Sequence, residues 1–476
     1  MNKLYINGEW VDAIDGETLD LINPATEEKI ITLPAAGGKD CHIAIAAAEK
    51  AFVQWSKTTP YTRAVILKSA AQYIRDNLTA FAGDMVTESG KPLAEAKGEW
   101  TVAANLFEWY AEEAKRAYGR VIPTNRPDKR SSVIWQPMGV IGVITAWNFP
   151  AYNPARAWAA ALAAGCTLVV KPAETTPLSA FRLADALIRS GLPPGVLNLL
   201  IGDPASIGEE MLNNPALRKI SFTGSTRVGK LLMDGASRTH TKLSLELGGN
   251  APVLIFGDVD IEKTARAAAS ARFRNNGQVC IAPQRFYVEQ SIFERFAERL
   301  THYVAQLKVG NGFEEGVHVG PLITRRQRDS VLDLLERAKA QQARVLTGGQ
   351  RLDQKGFFVQ PAVITGVDQS SVLARNEIFG PLLPLFSFEG IDDAIEKAND
   401  TEYGLAAYVF TNDLNTALLA AERLEFGIVG INEWAPHGTE APFGGWKHSG
   451  QGHESGQEGL YEYMEKKLIS IGGLPG

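Results

Sequence analysis

The sequence predicts an α/β protein: a parallel sheet with helices on both faces, a second α/β unit after it, and a small projecting β hairpin. Three observations carry this reading. β-rich apolar runs alternate with helical stretches from residue 140 to about 235, the alternation resumes from 251 to about 432, and 476 residues exceed what one compact core holds.

The elements follow in order. Val140-Ile-Gly-Val-Ile-Thr-Ala146 is a short, β-branched run suited to a buried strand, and the alanine-rich Ala155–Ala164 behind it stops at Gly165, a helix terminator. Thr167-Leu-Val-Val170 reads as the next strand, Ser179–Ser190 as a helix and Val196–Ile201 as a strand. Ile207–Leu212 is helical, Lys219-Ile-Ser-Phe222 a strand and Val228–Gly235 a helix. Strand-helix-strand order implies parallel pairing, and such sheets take ligands at the carboxyl ends of their strands. The second unit opens with the strand Ala251–Phe256 and carries amphipathic helices at Ile261–Phe273 and Arg326–Gln341. Gly119–Pro123 and Ser132–Gln136 read as the two strands of the hairpin, with a further strand at Lys467–Ile471. No internal repeat or low-complexity linker marks the boundary near Gly248-Gly249.

Composition narrows the class of function. With 45% hydrophobic and 21% charged residues the chain is an ordinary soluble type, and a net charge of -6 argues against a general nucleic-acid binder. Cys41, Cys166 and Cys280 are too far apart for a zinc knuckle or a redox pair, and an odd number suits no disulfide framework, so a reducing cytoplasm is expected. The N-terminus lacks the apolar core of a signal peptide, and the most apolar region, about 140–170, is broken by Asn148, Pro150, Asn153, Pro154 and Arg156, so no membrane span is expected.

Two stretches bear on ligand binding. Phe222-Thr-Gly-Ser-Thr-Arg-Val-Gly229 puts a Gly224-Ser225 turn between a strand and a helix, where free N–H groups and the positive helix end suit a phosphate; it is neither GxGxxG nor a P-loop, and a plain structural turn is the competing reading. Lys171-Pro-Ala-Glu174 adds a cation and a carboxylate at the same sheet edge. A carboxylate there accepts ribose hydroxyls and repels a 2′-phosphate; a solvated lysine and a helix-starting glutamate are the plain alternative.

Further blocks occur at Thr145-Ala-Trp-Asn-Phe-Pro150, Leu245-Glu-Leu-Gly-Gly249, Gly277-Gln-Val-Cys280, Glu377-Ile-Phe-Gly-Pro381 and Pro442-Phe-Gly-Gly-Trp-Lys-His-Ser-Gly450. With the two above, in this order and spacing, the whole chain resembles the aldehyde dehydrogenase superfamily. That resemblance implies a Rossmann-like cofactor domain at 1–118 and 138–247, a catalytic domain at 248–448, and an oligomerisation element at 119–137 and 462–476 that makes a homodimer or homotetramer. It also implies roles. Cys280 is the expected nucleophile, Asn148 the side-chain donor to the oxyanion, and Glu246 the general base. Trp147, Lys171, Glu174, Gly224, Ser225, Glu377 and Phe379 are expected cofactor contacts, with NAD the expected cofactor on account of Glu174 and NADP also possible. No metal is implied.

Within the superfamily, Arg156 and the Phe273-Arg274-Asn275 stretch most resemble the succinate-semialdehyde and 2-oxoglutarate-semialdehyde branch, where two arginines hold the carboxylate at the far end of a small aldehyde. Guanidinium forks suit a planar anion. His437, in the loop expected to line the substrate entrance, is a third anchor candidate, and the branch's serine anchor has no clear match. A sulfonate, as in sulfolactaldehyde, is the alternative anion. A non-redox cysteine thioesterase or amidase, and a non-catalytic binding protein on the same fold, are the readings from other classes.

Overall fold

The computed structural model describes residues 2–475. Its central element is an eight-stranded sheet in the order Glu9–Val11, Leu4–Ile6, Leu197–Leu199, Thr167–Lys171, Val140–Ile144, Leu217–Thr223, Lys242–Glu246, Gly450–Gln451. The five inner strands pair in parallel and the outer ones antiparallel. The strand order reverses direction at Val140–Ile144, with Thr167–Lys171 on one side and Leu217–Thr223 on the other, which places a ligand crevice at the carboxyl ends of these strands.

Helix bounds shift where caps and prolines act. The helix expected from Ala155 begins at Tyr152, since Pro154 sits in the first turn, where its missing N–H leaves no hydrogen bond unmade. Gly165 ends it with φ of 96°, a left-handed residue that glycine adopts without penalty. The helix expected at Val228–Gly235 extends over Thr226–Thr239 because the Ser225 hydroxyl caps it, accepting from the Val228 N–H. The first 113 residues, for which no elements are predicted, supply the two strands at one sheet edge and four helices, of which Leu93–Glu113 packs beneath Tyr152–Ala164.

After Glu246 the chain crosses to a second sheet, ordered Arg344–Thr347, Ala362–Thr365, Leu382–Phe388, Pro283–Glu289, Ala251–Ile255, Ala406–Phe410, Ile428–Ile431 and parallel except for its first pair. Arg120–Ile122, Arg130–Pro137 and Met464–Ile471 form a separate antiparallel sheet, pairing Met464 with Pro137 through to Ile471 with Arg130. Among the described residues no helix is long and apolar enough to cross a membrane.

Candidate active site

Cys280 lies between the helix Ile261–Phe273 and the strand Pro283–Glu289, on a loop whose shape the residue types explain. Asn275, Asn276 and Gly277 are consecutive left-handed residues with φ of 49°, 56° and 71°, which asparagine and glycine tolerate best. A Cβ on Gly249 would stand 2.4 Å from the Cys280 carbonyl oxygen, so the segment joining the two sheets must be glycine there to approach the cysteine loop. The thiol opens into a cavity of about 280 Å³ that is also lined by Asn153, Arg156, Arg274, His437 and Phe443. Thus the two arginines and the histidine, 124, 6 and 157 residues from Cys280 in sequence, share one chamber with it.

The thiol is not activated by default. Burial pushes it up to about 12, opposed by the positive charge of Arg156 and reinforced by the carboxylate of Glu246. Asn148 is tied to the loop that carries Cys280: its amide nitrogen donates to the Gln278 carbonyl at 3.1 Å, and its amide oxygen accepts from Asn153 at 3.2 Å. An amide nitrogen carries two hydrogens, so one N–H remains available beyond the bond to Gln278.

Glu246 ends the strand Lys242–Glu246 opposite Thr223 and is buried with neither carboxylate oxygen hydrogen-bonded. Burial lifts its carboxyl well above the usual range, Arg156 pulls it down, and Glu454 and Glu462 lift it further. A basic, unpartnered carboxylate is suited to taking a proton near neutrality. Arg156 is itself buried and ion-paired with Glu454; burial works against its charge, and Glu454, Tyr152, Glu246 and Cys280 together more than restore it. The Ser221 hydroxyl holds the other oxygen of Glu454 at 3.0 Å.

The remaining two anchors differ from Arg156. Among the described residues no carboxylate lies within salt-bridge distance of Arg274, which lies 5.6 Å from the centre of the Phe149 ring. Among the described residues His437 leaves Nδ1 buried without a partner, and burial, followed by the nearby Arg274 and Arg156, lowers its ring to about 4, which favours the neutral form.

The cofactor candidates gather at the sheet's carboxyl edge. Lys171, the last residue of its strand, pairs with Glu174. Trp147 and Phe379 meet edge to face at 5.4 Å. Gly224 and Ser225 form the turn into the helix Thr226–Thr239; a Cβ on Gly224 would come within 2.4 Å of the Phe222 ring, so close backbone approach is built in. Glu377 takes the Gly249 N–H on Oε1 at 2.9 Å, and burial raises its carboxyl to about 7. A helix N-terminus for a phosphate, two carboxylates for ribose hydroxyls and an aromatic pair form a donor set that fits a nicotinamide dinucleotide. Among the described residues no group of three or more His, Cys, Asp or Glu is arranged to hold a metal.

Sequence reading missed Glu454, Lys91, Glu95 and Glu99. Glu454 gave no signal, since only the fold carries it back beneath Arg156. Lys91 lies before the helix Leu93–Glu113 and gave no signal either, whereas Glu95 and Glu99 are four residues apart on it, hence on one face, and that face looks into the cavity.

Residues 10–469 match the model described as aldehyde dehydrogenase family. The chain is 45% identical over 470 residues to a succinate-semialdehyde dehydrogenase (NADP(+)) of Escherichia coli, covering 99% of this chain and 98% of the relative. It is 42% identical over 476 residues to a 3-sulfolactaldehyde dehydrogenase of Pseudomonas putida, covering 99% and 97%. The solved structure of a succinate-semialdehyde dehydrogenase from Burkholderia pseudomallei superimposes with a TM-score of 0.98 at 44% identity, covering 99% of this chain and 98% of that one.

Proposed function

Because this chain belongs to the aldehyde dehydrogenase family, we propose that it oxidises a short aldehyde carrying a terminal anion to the carboxylic acid, using NAD or NADP. The observation that carries the substrate class is the sharing of one cavity by Cys280, Arg156, Arg274 and His437. Charge-assisted hydrogen bonds to a carboxylate contribute roughly 1.5–3 kcal/mol each, enough for the arginines to set which end of a small aldehyde faces the thiol.

In this reading Glu246 takes the thiol proton as Cys280 attacks the aldehyde carbon. The proton transfer is needed because desolvation pushes the half-buried thiol up to about 12. Asn148 Nδ2 and the Cys280 N–H hold the developing oxyanion, each such donor being worth about 2.7–4 kcal/mol in related chemistry. The bound nicotinamide supplies a hydride acceptor. Once Glu246 has passed the thiol proton to solvent, it deprotonates the water that attacks the Cys280 thioester; the C–S bond breaks, the acid leaves, and the Cys280 thiolate takes the proton back from Glu246. Trp147, Lys171, Glu174, Gly224, Ser225, Glu377 and Phe379 hold the dinucleotide. Glu174 favours NAD by repelling a 2′-phosphate, although its pairing with Lys171 offsets part of that charge.

The test is steady-state NADH and NADPH formation with succinate semialdehyde, 2-oxoglutarate semialdehyde, sulfolactaldehyde, butanal and benzaldehyde. A kcat/KM at least tenfold higher for the anionic members, about 1.4 kcal/mol of transition-state preference, supports the reading; preference for the neutral aldehydes overturns it. Cys280→Ala must abolish turnover while cofactor binding persists. A sulfonated substrate is the second reading, favoured by the unpartnered His437 nitrogen, since a sulfonate has a third acceptor oxygen to offer. A lead for sulfolactaldehyde over both semialdehydes decides for it.

We infer further that the sheet formed by Arg120–Ile122, Arg130–Pro137 and Met464–Ile471 joins copies into a dimer or a dimer of dimers. Val121 and Leu468 are 79% and 63% exposed there, an apolar edge that is an aggregation hazard unless covered. Three free thiols suit a reducing cytoplasm.

A further inference from the structure

One face of the helix Leu93–Glu113 touches both loops on which the proposed chemistry depends. Glu95 Oε2 accepts the backbone N–H of Asn275 at 2.8 Å, on the left-handed turn that leads to Cys280. One turn further along the helix, Glu99 Oε1 accepts the N–H groups of both Ala151 and Tyr152, at 2.8 and 3.1 Å, where the Asn148 loop enters its helix. The other Glu99 oxygen is paired with Lys91, whose ammonium donates to the Asn148 carbonyl at 3.1 Å and stands 4.1 Å over the Phe149 ring. Asn275 Nδ2 closes the circuit by donating to the same Asn148 carbonyl at 2.8 Å.

These contacts are costly to build and therefore informative. The Lys91 and Glu99 side chains are 1% and 2% exposed, and a buried ion pair seldom repays its desolvation against apolar residues of the same size. The pair does more than neutralise itself, because every remaining hydrogen bond it makes lands on residues 148–152. The base of the clamp is anchored as well: the Leu93 N–H donates to the Gly312 carbonyl at 3.0 Å, in the second α/β unit.

We propose that Lys91, Glu95 and Glu99 are positioning residues that set the separation between the oxyanion donor Asn148 and the nucleophile Cys280. Two carboxylates at i and i+4 on a rigid helix act as a spacer, one gripping each loop. The work is done by their hydrogen-bond acceptors, while the charges serve to fix the acceptors in place. A displacement of about 1 Å in such a site costs on the order of 100-fold in rate.

The inference rests on the reading of Cys280 and Asn148 above, and the test separates the two. Charge-neutral double variants are compared in the full-length enzyme: Lys91→Met/Glu99→Gln keeps an acceptor for the Ala151 and Tyr152 amides, whereas Lys91→Met/Glu99→Leu does not. Thermal unfolding and cofactor Kd monitor the fold. The leucine form should lose about 100-fold in kcat with KM within about threefold of the parent, and the glutamine form should recover at least tenfold of that loss. Glu95→Leu and Glu95→Gln should split the same way at the Asn275 contact, and carry the test alone if the buried leucine variant does not fold. Equal kcat in the leucine and glutamine forms overturns the proposal, as does a loss confined to KM. Turnover retained by Cys280→Ala would instead sink the reading of the site and leave the clamp as scaffold.

Discussion

Arg274 offers the cleanest perturbation of substrate recognition. It lines the cavity, makes no ion pair among the described residues, and lies against Phe149, so Arg274→Gln removes a fork of donors while Lys91 remains as the stronger positive neighbour of Glu95, whose charge Arg274 also favours. If the guanidinium holds the substrate's anionic end, the loss is that of one or two charge-assisted bonds. At roughly 1.5–3 kcal/mol this is a fall of about 10- to 150-fold in kcat/KM for succinate semialdehyde. Butanal makes no such bond and should change by less than about threefold. The assay is initial-rate NAD(P)H formation with both aldehydes on both proteins, and the ratio of the two losses isolates the interaction, since any general damage to the site cancels. Equal losses for the two aldehydes would refute the assignment of Arg274 to the anion and return it to the scaffold.

Arg156 behaves differently because Glu454 depends on it. Arg156→Met should destabilise the fold by about 3–5 kcal/mol through the stranded carboxylate, and adding Glu454→Gln should restore the melting temperature without restoring preference for anionic aldehydes; persistence of that preference would remove Arg156 from the substrate site. Glu246 works as a carboxylate and its folded-state value is raised, so kcat should climb as pH rises through that raised value and fall away below it. Glu246→Gln should erase this limb and slow turnover by roughly 10²–10⁴-fold, with the first-turnover burst of NAD(P)H slowed as well because the thiol loses its base; an unchanged pH profile counts against Glu246 as base. The His437 ring, lowered to about 4, should be neutral at pH 6 by NMR and shift upward when succinate is bound, and no shift on binding would exclude it from anion recognition. By linkage, its lowered value costs stability as pH falls from about 6.5 toward 4, and His437→Asn should flatten that part of the unfolding curve.

Much of this molecule was legible in the chain. Short β-branched runs alternating with helices favour parallel pairing, so the parallel core of the sheet, its ligand-bearing edge and the elements from Val140 to Thr239 follow from local chemistry, whereas the antiparallel strands at its two edges do not. The Asn275-Asn276-Gly277 turn is written in residue types that accept left-handed geometry. What local chemistry cannot specify is which distant groups share a low-dielectric space. Arg156 and Arg274 have the same charge in sequence, yet only one meets a buried carboxylate, because residues 450–451 return to the sheet edge and bring Glu454 with them. The same holds for the carboxylates of Glu95 and Glu99, whose i, i+4 spacing gave them a common face but not a target. Burial then decided the protonation tendencies of Cys280, Glu246, Glu377 and His437, since desolvation depends on everything packed around a group and on nothing in its immediate sequence.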